Sequence, residues 1–79
     1  MKTAPERVAS LLLVFAERTG KYHFLDLPMP RRDIADHLGL TVETVSRTFS
    51  ELREAGAIEL PRAHRIVLRD PTALEKLRN

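Results

Sequence analysis

The sequence predicts a mostly α fold with a small β-hairpin, in which three helices make the core and the hairpin forms a wing. Three observations carry this prediction. Apolar residues recur at helical spacing in three separate stretches. A single glycine, Gly39, divides the second stretch from the third. Two short runs rich in Ile, Val and Leu follow directly after them. The order helix, short extended stretch, helix, helix, hairpin is that of a winged helix-turn-helix.

The first stretch, Ala4 to Arg18, places Val8, Leu11, Leu12 and Phe15 at i, i+3, i+4 and i+7, and so predicts an amphipathic helix. Pro5 fits its first turn, where no backbone N–H is needed, and Gly20 suits its exit. His23 to Leu27 is expected to be extended, because residues before a proline, here Pro28, avoid the helical region. Pro30 opens a second helix, Arg31 to Leu38, with Ile34, Ala35 and Leu38 facing inward. Gly39 can take the left-handed conformation that ends it. Thr41 is a suitable N-cap for a third helix, Val42 to Ala55, although the stricter capping box is absent because Thr44 stands where Glu or Gln is required. Val42, Val45, Phe49 and Leu52 should form its buried face, and Gly56 its end. Ala57 to Leu60 and Arg65 to Arg69 read as the two arms of the hairpin, joined by Pro61-Arg62-Ala63-His64. Asp70-Pro71 is a cap and first-turn pair for a final short helix carrying Leu74 and Leu77.

Seventy-nine residues are expected to make one domain, residues 1–79, with a small core. Hydrophobic residues make up 43% and charged residues 30%, the balance of a globular domain rather than a disordered one. A formal net charge of +2 permits a polyanionic partner without demanding one. The chain has no cysteine, which excludes disulfides, thiol catalysis, thiolate zinc sites and cysteine-ligated iron–sulfur clusters from it. No apolar run is long enough to span a bilayer and no signal peptide is evident, so the expected compartment is the cytoplasm, with no membrane partner.

The third helix carries the most informative chemistry. At about 100° per residue, Glu43, Ser46, Arg47, Ser50 and Glu54 fall on one side, opposite the apolar residues. One face can therefore be buried while the other is presented outward, as in a helix that reads DNA through its N-terminal residues. An arginine can donate two hydrogen bonds to guanine O6 and N7. A glutamate can accept from the cytosine amino group, and a serine can approach any base edge. Glu43, Ser46 and Arg47 are thus candidate base-reading residues. On an arbitrary helix, Glu43 and Arg47 at i, i+4 would be only an exposed ion pair. The preceding glycine turn and short helix favour base contact, with a Glu43–Arg47 salt bridge able to hold the guanidinium in place.

Phosphate contacts are expected at the edges of the same surface. Thr41 and Thr44 stand at the N-terminus of the reading helix, where hydroxyls, backbone N–H groups and the helix dipole favour an anion. Arg31 and Arg32 open the preceding helix, and His64 and Arg65 lie on the wing with Arg62. Singly, each is an ordinary solvated charge. As a set they flank one face.

The stretch LPMPRRDIADHLGLTVETVSR closely resembles the DNA-binding region of the Crp/Fnr superfamily of bacterial transcription regulators, and is nearest its FixK/Fnr branch. The E-x-x-S-R pattern, here Glu43, Ser46 and Arg47, is that branch's recognition signature. The similarity runs from about Thr3 to the hairpin AIELPRAHRIVLRD, nearly the whole chain. It implies that Arg47 reads the guanine and Glu43 the paired cytosine of a TTGA-type half-site, with Ser46 near a thymine. It places Arg31 and Thr41 at phosphate-contacting positions. Val42 stands where the cyclic-AMP receptor branch has a further base-reading arginine, and the glycine frequent in the family's wing turn is missing. Family members also carry an N-terminal cyclic-nucleotide-binding-like β-barrel and a long dimerisation helix. The chain therefore looks like a C-terminal fragment without a cofactor, any sensor chemistry belonging to the remainder. The full-length protein is expected to be a homodimer with RNA polymerase as a partner, and the fragment a monomer.

Two other classes of function compete. A winged helix can serve as a protein–protein adaptor, since fold does not fix function. An adaptor would have no reason to place Glu, Ser and Arg at base-reading positions, and an apolar patch there would favour it. An enzyme is not expected. His23, His37 and His64 are far apart without metal-ligand spacing, Ser46 has no nearby histidine, and there is no phosphate-cradling glycine loop.

Overall fold

The computed structural model describes residues 2–21 and 23–78; Met1 and Asn79, the ends of the expected domain, lie outside the described residues. Seven elements follow in order: α1 (Ala4–Thr19), β1 (Phe24–Asp26), α2 (Arg31–Leu38), α3 (Val42–Glu54), β2 (Ile58–Glu59), β3 (Arg65–Leu68) and α4 (Pro71–Arg78). Each expected element is present, and α2 has the expected bounds.

Local chemistry accounts for the helix ends. Thr3 and Glu6 form a capping box on α1: the Thr3 N–H donates to Glu6 Oε1 at 2.6 Å and the Glu6 N–H to Thr3 Oγ1 at 3.3 Å. The T-x-x-E spacing at residues 3–6 is the sequence signature of this box. Thr41 caps α3 by accepting the Thr44 N–H at 3.1 Å, as its position predicted. Asp70 caps α4 through the Ala73 N–H at 3.1 Å.

The tight joint between α2 and α3 depends on Gly39, with φ 70°. Its N–H and that of Leu40 close the end of α2, the latter on Ala35 O at 2.8 Å. A Cβ at Gly39 would meet only Arg7 Nη1, at 3.5 Å, an ordinary contact. Gly39→Ala should therefore cost about 1 kcal/mol, through the left-handed backbone alone. A urea midpoint matching the wild type would show that the joint relaxes. Arg7 also fastens this joint to α1, donating to Leu38 O at 2.8 Å.

The strands differ from expectation in pairing. The extended stretch at β1 was expected, but only the hairpin was expected to form a sheet. Instead β1 joins it, giving a three-stranded antiparallel sheet in the order β1-β3-β2. Leu25 faces Ile66 and Asp26 faces Arg65 across the new ladder. The physical reason lies in the fold: docking β1 satisfies backbone groups along one edge of β3 that a two-stranded wing would leave open.

The core lies where α1, α2 and α3 meet the inner face of the sheet and α4. Val8, Leu12, Ile34, Val45, Ile58, Ile66 and Leu74 are fully enclosed. On α3 one position departs from the expected inner face. Val42 is 43% exposed, and Thr48 is buried in its stead. At about 100° per residue, Val42 lies only about 20° from buried Phe49 round the axis, so its exposure goes with its place in the helix's first turn and not with its direction.

Candidate nucleic-acid interface

Burying Val45, Thr48, Phe49 and Leu52 forces the opposite side of α3 outward. Glu43, Ser46 and Arg47 are all exposed there, as the spacing predicted. Val42 adds an apolar group at the N-terminal end of the same face, and it is the one large hydrophobic residue exposed among the described residues. That face is polar and presented, not an apolar docking patch.

The expected Glu43–Arg47 salt bridge is not among the ion pairs of the described residues. Arg47 Nη2 instead donates to Thr44 Oγ1, a long contact at 3.4 Å. Thr44 Oγ1 in turn accepts from the Thr41 hydroxyl at 2.9 Å. An exposed i, i+4 pair is worth a few tenths of a kcal/mol, too little to dictate the arginine rotamer. Glu43 and Arg47 thus keep their polar ends for another partner. The Thr44–Arg47 spacing of i, i+3 could have signalled this contact.

The flanking residues fall into different environments. Arg32 and His64 are exposed, whereas Arg31 is half-buried. Its guanidinium carbon lies 4.2 Å from the centroid of the Phe49 ring, and burial lowers its pKa. Arg65 is held differently. It donates from Nε and Nη2 to the two Asp26 carboxylate oxygens at 2.8 and 3.0 Å, and its guanidinium carbon lies 4.5 Å from the Phe24 ring centroid. That fork keeps the Asp26 carboxyl below the usual carboxylate range. An anion could engage Arg65 only by sharing or displacing Asp26, a constraint with no sequence signal because the β1–β3 pairing has none.

Among the described residues no group of three or more His, Cys, Asp or Glu side chains could hold a metal ion. Nor is any described helix long and apolar enough to cross a membrane.

A three-helix core, an outward polar helix face behind a tight glycine turn, and a small antiparallel wing define the winged helix-turn-helix class. Residues 6–77 match the Crp-like helix-turn-helix domain, and the chain belongs to that family. It is 52% identical over 81 residues to the nitrogen fixation regulation protein FixK of Azorhizobium caulinodans, covering 96% of this chain and 33% of the relative. It is 40% identical to the transcriptional activator protein FnrL of Cereibacter sphaeroides, over 87% of this chain and 31% of the relative. The solved structure of FixK2 from Bradyrhizobium japonicum superposes with a TM-score of 0.91 at 47% identity, covering 99% of this chain and 39% of that one. The resemblance to the FixK/Fnr branch is thus borne out. The chain spans about a third of the length of these curated relatives.

Proposed function

We propose that this chain binds double-stranded DNA sequence-specifically, as the C-terminal domain of a Crp/Fnr-type bacterial transcription regulator. The observation that carries the reading is the exposed Glu43–Ser46–Arg47 face on a helix whose other side is locked into the core. Arg47 reads the guanine and Glu43 the paired cytosine of a TTGA-type half-site, with Ser46 near a thymine. Arg31, Arg32, Thr41, Thr44 and His64 contact phosphates, and Arg65 joins them by sharing its Asp26 pair. The residues form one domain that uses no cofactor and performs no catalysis. The whole regulator acts in the cytoplasm as a homodimer, with RNA polymerase as a partner and two reading helices about one DNA turn apart. The isolated 79-residue chain is a monomer. It binds weakly, because one half-site engages few phosphates and lacks the gain from linking two domains.

The test is a fluorescence-anisotropy titration at several salt concentrations, comparing a TTGA/TCAA palindrome with a scrambled duplex. A preference for the palindrome supports the reading. Equal affinity would reduce the chain to a non-specific electrostatic binder, and no binding at low salt would favour a protein adaptor. In the same assay Arg31→Ala should weaken both duplexes alike and reduce the slope of log K against log salt by about 0.9. A change in base preference with an unaltered slope would contradict its phosphate role.

A further inference from the structure

Arg31 differs from the other cations around the reading helix. Its Nη1 is closed off from solvent without an acceptor, the one such buried side-chain polar atom among the described residues. None of the described side-chain hydrogen bonds involves the Arg31 guanidinium, although those of Arg7, Arg65, Arg69 and Arg78 all make them. Buried donors in native structures are nearly always paired, so an exception calls for an explanation. An aliphatic residue at this place would cover Phe49 without stranding a donor.

The ring beneath the guanidinium is fixed. Phe49 is 1% exposed, and it lies on the inner face of α3 among the core residues. A guanidinium held over an aromatic face is attracted by the ring's negative face, has lost part of its water, and has little rotamer freedom left to lose. Those are the two main costs of fixing an arginine on a phosphate, and here both are met before DNA arrives. Arg32, the next residue, is exposed, so the device belongs to one arginine of the pair.

We propose that Phe49 is a positioning residue for DNA binding, its ring face holding Arg31 between α2 and α3 in readiness for a backbone phosphate. The proposal rests on the DNA-binding reading and adds a role for a core residue that does not touch DNA.

The test combines Phe49→Leu, Arg31→Ala and the double variant with pentafluorophenylalanine at position 49, which keeps the ring's shape but reverses the charge distribution of its face. Binding is read by anisotropy on the palindrome and the scrambled duplex across a salt series, and folding by thermal melts. Phe49→Leu is expected to weaken both duplexes by about 3- to 10-fold with base preference unchanged. In the Arg31→Ala background the same change should alter binding by less than about 2-fold. The fluorinated ring should weaken binding without an equivalent fall in the melt, and it decides the matter if Phe49→Leu does not fold. An equal effect of Phe49→Leu with and without Arg31, or a fluorinated chain that binds like the wild type, overturns the proposal while leaving DNA binding intact. Failure of the wild type to bind either duplex at low salt removes the DNA-binding reading itself, and the proposal with it.

Discussion

Replacing Arg47 with alanine is expected to cost about 1–3 kcal/mol of binding on a TTGA-type site and to erase discrimination at its guanine. The structure makes this side chain available. It is exposed on the outward face of α3, no ion pair among the described residues engages it, and its one hydrogen bond, to Thr44, is long at 3.4 Å. A contact of that length is readily exchanged for two short bonds to O6 and N7. Competition titrations with each half-site position changed in turn would measure the effect. Arg47→Ala should bind the guanine-substituted site as well as the intact one, whereas the wild type should not. Arg47→Lys, which keeps the charge but not the planar fork, should recover non-specific affinity more than base preference. Half-site preference unchanged in Arg47→Ala would show that another group reads the guanine.

Leu12→Ala is expected to have the largest effect on the fold, a loss of about 2–5 kcal/mol. Leu12 is 0% exposed on α1, the helix that packs against α3, α4 and β1. Truncation there opens a cavity lined by several elements that cannot all close in. A domain of this length is held by roughly 4–12 kcal/mol, so the variant should lose a large share of its stability. Urea unfolding followed by far-UV circular dichroism would measure the shift. A loss below about 1 kcal/mol would mean that α1 can move inward to fill the space, and would displace Leu12 from the centre of the core.

The two predictions draw on different layers of the molecule, and the sequence exposed those layers unequally. The outward polar face of α3 was legible because it follows from a short-range rule. A helix with Val45, Phe49 and Leu52 buried must turn Glu43, Ser46 and Arg47 to solvent, whatever the rest of the chain does. The caps at Thr41 and Asp70 and the stop at Gly39 were legible for the same reason, since each depends on residues within one turn. Val42 is exposed although it shares a direction with buried Phe49, because periodicity gives a direction around the helix axis but not how far along it the packing extends. Thr48 is buried although a threonine gives no apolar signal in the spacing.

What the sequence by itself determined is the run of helices and extended stretches, their ends, and the residue types facing outward on α3. These depend on hydrogen bonds and side-chain spacings within a few residues, which each stretch carries wherever it is placed. Only the tertiary structure decided that β1 would zip onto β3, and hence that Arg65 would be held by Asp26, 39 positions away in the chain. It likewise decided that Arg31 would lie over Phe49 instead of standing free in solvent. Such contacts join segments whose meeting follows from how the whole core packs. No local pattern encodes their distance, yet they leave one arginine half-buried over an aromatic ring and another paired with a carboxylate.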